Sequence, residues 1–106
     1  MDKPDQLAEI RFTMELAGRI RDARLQSGLS QADLSRYIGV SRTALSQFER
    51  AMQKPSVYQV LRLEQAMGLD PLSLIPLETV EKDVRISDSQ KHAREALLRY
   101  RLGRGE

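Results

Sequence analysis

Cysteine and tryptophan are absent from this 106-residue chain, and two phenylalanines and three tyrosines supply all of its aromatic mass. Without cysteine the protein can form neither a disulfide framework nor a thiolate metal site, which agrees with a reducing compartment. The scarcity of aromatics leaves the core to aliphatic side chains, and 41% hydrophobic against 30% charged residues is the balance of an ordinary globular domain. No apolar run approaches the length of a membrane span, and the start, MDKPDQLAEIRF, lacks the charged-then-apolar order of a signal peptide. The expected location is therefore the cytoplasm, with no membrane partner. Charge of one sign is lacking as well. Seventeen Lys and Arg face fifteen Asp and Glu, so the net +2 does not by itself announce a polyanionic partner.

Catalytic chemistry is thinly represented. The only histidine, His92, lies near Lys91 and Arg94 with no ligand partners in its vicinity, which reads as a surface residue. There is no histidine beside a nucleophile, no glycine-rich phosphate loop and no carboxylate pair framed by apolar residues. The expectation is a protein that is not an enzyme and uses neither cofactor nor metal.

What the chain does have is helical punctuation. Leu7, Ile10, Met14, Ala17, Ile20, Arg24 and Leu25 recur at helical spacing, which predicts a first helix from near Pro4 to Ser27, with Gly18 as a point of interruption and Gly28 as its stop. Ser30 is a suitable N-cap before QADLSRYI, with Leu34 and Ile38 on one face and Gly39 ending the segment. Ser41 caps RTALSQFER, in which Ala44, Leu45 and Phe48 are spaced to pack inward while Arg42, Thr43, Ser46, Gln47 and Arg50 face out. Ser56 and Gln59 form a capping box ahead of Val57, Val60, Leu61 and Met67, and Gly68 closes that helix. Asp70 and Pro71 open a fifth, short helix that Pro76 stops. LETVEKDVRI reads equally as a strand with Val80, Val84 and Ile86 on one face or as an irregular helix. Ser87 with Gln90 caps a last helix bearing the stripe Ala93, Ala96, Leu97 and Tyr100 and ending near Gly103.

Residues 30–51 satisfy the steric demands of a helix-turn-helix. Two short helices that cross steeply need a turn residue tolerant of positive φ, here Gly39. They need a small side chain at the crossing, here Ser35, and an apolar clamp, here Leu34, Ile38, Val40, Leu45 and Phe48. The outer face of the second of these helices is then free of large apolar groups and shaped for a major groove. From Ser30 to Pro55 the cations Arg36, Arg42, Arg50 and Lys54 outnumber Asp33 and Glu49, and from Lys91 onward basic residues again predominate.

In the run GLSQADLSRYIGVSRTALSQFERAMQKPS the chain resembles the lambda-repressor-like family, also called the Xre or Cro/C1 family. The likeness covers roughly residues 16 to 75 and implies an all-α, five-helix DNA-binding domain. It departs from the family at Ser35, where alanine is frequent, and at Ala51, where a glycine commonly follows Glu-Arg, which leaves the exit of the third helix open. The resemblance implies that Gln31 clamps a phosphate, with Ser41, Arg50 and Lys54 as further backbone contacts. It implies that Arg42, Thr43 and Gln47 read bases, with Ser46 beside them, and that Arg24 and Glu49 form a structural ion pair between the first and third helices. Arg suits guanine bidentately, Gln suits adenine, and the Thr methyl suits thymine.

The expected organisation is thus a DNA-binding domain over residues 1–76, with its helix-turn-helix at 30–51, and a C-terminal extension over 77–106 that adds one more helix for dimerisation or partner binding. The expected function is sequence-specific binding of double-stranded DNA as a transcriptional regulator, a repressor acting as a homodimer on a two-fold operator. An antitoxin whose tail binds a toxin while the domain represses its own operon is the alternative from another class, and a controller of a restriction or conjugative element shares the same domain. A structural interaction module would instead carry an acidic or apolar face at residues 41–50, which the sequence does not.

Overall fold

The computed structural model describes residues 4–79 and 95–99, and no strand occurs among them. Four α-helices make up the body: α1, Pro4–Gln26; α2, Gln31–Ile38; α3, Arg42–Glu49; and α4, Val57–Ala66. Residues 77–79 and 95–99 are also helical. The fold class is all-α, as the capping signals imply. Helix α1 runs through Gly18 without interruption, because a glycine on an exposed face costs only about 1 kcal/mol in helix propensity and nothing else competes there.

Each short helix starts in the same way. Ser30, Ser41 and Ser56 lie in extended backbone and accept the N–H three residues on, satisfying one donor that the helix itself cannot. At Ser56 the box is complete, since Gln59 Oε1 accepts the Ser56 N–H at 2.8 Å. All four helices also stop alike, in a pair of back-bonds from two successive residues within three positions of the end. For α2 these are Gly39 N–H to Arg36 O at 3.3 Å and Val40 N–H to Ser35 O at 3.0 Å. This geometry puts one residue in the left-handed region. Gly39 takes it with φ 77°. After α3 it falls on Ala51, φ 59°, closed by Met52 N–H to Gln47 O at 2.9 Å. The open question of where α3 exits is thereby answered: the motif forms at its usual place with an alanine where glycine is preferred.

The inward faces of these helices meet in one aliphatic core. Leu16 and Ile20 from α1, Leu34 and Ile38 from α2, Leu45 and Phe48 from α3, Val60 and Leu63 from α4, and Leu74 are buried together. Complete burial of such a side chain contributes about 1.5–3 kcal/mol. Helix α2 packs against both α3 and α4, and α1 against α3, so α3 is seated on a support that holds its inner face. Ser35 is buried near the α2–α3 crossing, and its hydroxyl is satisfied by Ala32 O at 2.9 Å.

The fifth segment takes a different form from the short helix read in the sequence. Residues 71–74 are tight turns, with Ser73 N–H to Asp70 O at 3.1 Å and Ile75 N–H to Leu72 O at 3.1 Å, and Leu72 is left-handed at φ 67°. A left-handed residue cannot continue a right-handed helix, and the turn is held instead by Glu64, a side chain buried in α4, whose carboxylate accepts the N–H groups of Leu72 at 2.8 Å and Leu74 at 2.9 Å. Next to this turn Arg19 donates to Ile75 O at 3.5 Å and pairs with Glu78, tying the chain beyond Pro76 to α1. On the extension, residues 77–79 are helical, while Val80, Val84, Ile86, the Ser87–Gln90 box, His92, Ala93, Tyr100 and Gly103 lie outside the described residues. Leu97 and Leu98, in the helical stretch 95–99, are exposed.

Candidate nucleic-acid interface

The outer surface of α3 is built by subtraction. Leu45, Phe48 and Glu49 point into the domain and are buried, which leaves Arg42, Thr43 and Arg50 exposed and Ser46 and Gln47 half-buried. Arg42, Thr43 and Gln47 make no side-chain hydrogen bond or ion pair with a described residue, so their polar atoms are free to meet another molecule. Ser41 differs: its Oγ already accepts the Ala44 N–H at 3.0 Å as the α3 cap, leaving only its hydroxyl proton to donate outward.

The other cations around this face are engaged. Arg50 Nη2 lies 2.9 Å from Met52 Sδ, a weak acceptor. Lys54, in the loop after α3, pairs with Glu9 of α1. Both partners are more than half exposed, so the pair contributes about 0–1 kcal/mol at most and yields readily to a stronger anion.

Beneath the surface lies a buried charged cluster. Arg24 grips Glu49 with two hydrogen bonds, Nε to Oε2 at 2.6 Å and Nη2 to Oε1 at 3.0 Å, and its Nη1 donates to Leu29 O at 3.0 Å. The side chains are 11% and 2% exposed, so water contributes little to solvating either charge. The hydrogen bonds to Glu49 push the Arg24 guanidinium above its ordinary pKa, burial works against this, and the Glu49 charge adds to the rise. Gln31, the first residue of α2, joins the cluster by donating Nε2–H to Glu49 Oε1 at 3.1 Å. No buried side-chain nitrogen or oxygen among the described residues lacks a partner.

The cluster therefore brings together Arg24, Gln31 and Glu49 from three helices, while Arg42, Thr43, Ser46 and Gln47 gather on the open side of α3. Two features escaped the sequence reading. The Gln31–Glu49 bond links positions eighteen residues apart, and no local pattern points to it. Glu64 did leave a signal, because it falls in the inward register of α4 beside Val60 and Leu63, where a charged residue is out of place unless it has a buried task.

A helix-turn-helix family model, HTH_3, matches residues 20–74, just over half of the chain. Among solved structures, the restriction-modification controller protein C.AhdI from Aeromonas hydrophila is similar, with TM-score 0.57 and 28% identity over 59% of this chain and 96% of that one. The DNA-binding domain of the P22 c2 repressor in solution gives TM-score 0.55 and 35% identity, covering 58% and 82% of the two chains. The P22 c2 repressor in complex with a synthetic operator gives TM-score 0.54 and 34% identity, covering 57% and 92%. No curated protein sequence matches.

Proposed function

Because the chain belongs to the helix-turn-helix family HTH_3, the Xre and Cro/C1 type of DNA-binding transcription regulator, we propose that it reads a specific duplex through the outer face of α3. One observation carries the reading: Arg42, Thr43 and Gln47 stand unengaged on a helix whose opposite face is completely buried. In this reading α3 enters the major groove, Arg42 grips guanine, Gln47 addresses adenine, Thr43 lies against a thymine methyl, and Ser46 adds a contact at the same edge. Gln31, Ser41, Arg50 and Lys54 meet phosphates and fix the register. The P22 c2 repressor, similar over this stretch, is known in complex with an operator, which favours duplex DNA over other polyanions.

A single α3 spans too few base pairs to select a site in a genome, so the acting species is a homodimer on a two-fold operator. Its recognition helices would sit about 34–36 Å apart, one helical turn of DNA. The surface offered for pairing includes the turn around Leu72 to Ile75, the exposed Leu77, and the apolar groove formed by Tyr58, Leu61, Leu69 and Pro71. Repression follows where such a site overlaps a promoter.

Selection of bound sequences from a random duplex library tests the reading. The expected result is an enriched, two-fold sequence whose affinity falls about tenfold or more in Arg42→Ala, since a good bidentate pair contributes about 1–3 kcal/mol. Absence of any enriched sequence, or equal affinity of parent and Arg42→Ala at one salt concentration, refutes it.

A further inference from the structure

We infer that the buried Arg24–Glu49 pair is a positioning device for Gln31, fixing its side-chain amide as a donor toward the DNA backbone. The inference rests on the reading of Gln31 as a phosphate contact. A neutral amide has two faces of opposite polarity, and on a solvent-exposed helix start it can turn either of them outward. Turned with Oε1 outward, Gln31 would present a lone pair to a phosphate and repel it.

Glu49 removes that freedom. A carboxylate has no proton to give, so only the nitrogen of Gln31 can face it, and Nε2 does so at 3.1 Å. The second Nε2–H remains for an outside acceptor, close to the unpaired backbone N–H groups at the start of α2. Arg24 completes the device in two ways. It neutralises Glu49, whose charge would otherwise oppose an incoming phosphate, and its Nη1 bond to Leu29 O holds the backbone just ahead of the Ser30 cap. The same carboxylate belongs to the last turn of α3, so the orientation of Gln31 is referred directly to the recognition helix.

A purely structural pair and an orienting pair differ in what they predict for Gln31→Ala in two backgrounds. The full-length protein and the charge-neutral replacement Arg24→Met/Glu49→Leu are compared, each with and without Gln31→Ala, by affinity for a short random-sequence duplex at fixed salt. In the parent, Gln31→Ala should lower affinity about tenfold, the loss of a hydrogen bond to a charged group. In the replaced background it should change affinity less than about twofold, the discrimination of a double-mutant cycle. Glu49→Gln supplies the second arm. It removes a negative charge, so simple electrostatics predicts tighter binding, whereas an amide released to turn predicts weaker binding. Melting curves identify any variant that does not fold, and the arm that folds decides.

An equal loss from Gln31→Ala in both backgrounds, or tighter binding by Glu49→Gln, overturns the positioning role and leaves the phosphate contact standing. No loss from Gln31→Ala in the parent overturns both.

Discussion

Replacing Ala51 by glycine should stabilise the protein. Ala51 sits at φ 59°, the left-handed position of the motif that ends α3, and an L-residue there costs about 1–2 kcal/mol. Glycine removes that strain but adds freedom to the unfolded chain worth about 0.4–1 kcal/mol. Loss of the half-buried methyl subtracts a further fraction of the roughly 0.8 kcal/mol that a fully buried carbon contributes. The balance is about 0.5 kcal/mol in favour of glycine, which for a domain of this size raises Tm by about 2–4 °C. Gly39→Ala is the same exchange in reverse. A Cβ added at Gly39 meets nothing within 4 Å, so backbone strain is offset only by the freedom the unfolded chain loses, and the balance of about 0.8 kcal/mol should lower Tm by about 3–6 °C. Both variants are read by far-UV circular dichroism on heating. A lower Tm for Ala51→Gly, or an unchanged one for Gly39→Ala, refutes the strain argument.

Lys54→Ala should weaken binding equally for the selected site and for random DNA and reduce the slope of log affinity against log salt by about 0.9, measured by fluorescence anisotropy across a salt series. An unchanged slope would place Lys54 away from the phosphates. Glu64→Gln should destabilise the fold by about 1–3 kcal/mol in urea denaturation, because the amide can accept only one of the N–H groups of Leu72 and Leu74 and points its own donor at the other. A loss below about 0.5 kcal/mol, the range of a surface change, would deny Glu64 that task. A chain ending at Pro76 should self-associate more weakly than the full chain in sedimentation, and identical behaviour of the two would remove the extension from the dimer.

The helices were legible because their signals are local. Ser30, Ser41 and Ser56 act within three residues of themselves, and Gly28, Gly39 and Gly68 within five, so a linear reading recovers starts and stops without knowing the fold. The inward stripes of α2, α3 and α4 were legible for the same reason. Helix α1 was harder: its inward register is Ala8, Leu16, Ala17 and Ile20, with Phe12 and Ala23 partly buried, while Leu7, Ile10, Met14 and Leu25 are exposed, so the apolar spacing read in the sequence falls partly on the outer face of the helix. The turn at residues 71–74 was misjudged in form because what holds it, Glu64, is supplied from another element. In the candidate interface the face of α3 could be read from periodicity, but the engagement of Gln31 with Glu49 and of Lys54 with Glu9 depends on side chains brought together from distant positions.

The division of labour along α3 has a consequence for how readily this protein can be given new targets. Ser41 starts the helix, the back-bonded turn at Ala51 ends it, and Leu45, Phe48 and Glu49 anchor it. None of the side chains of Arg42, Thr43 or Gln47 shares in any of these tasks; Gln47 contributes to the closing turn only through its backbone carbonyl. Their side chains can be exchanged as a set while the scaffold stays the same, so under the proposed reading of α3 specificity could drift, or be rewritten by transplanting only these residues, at little cost to folding.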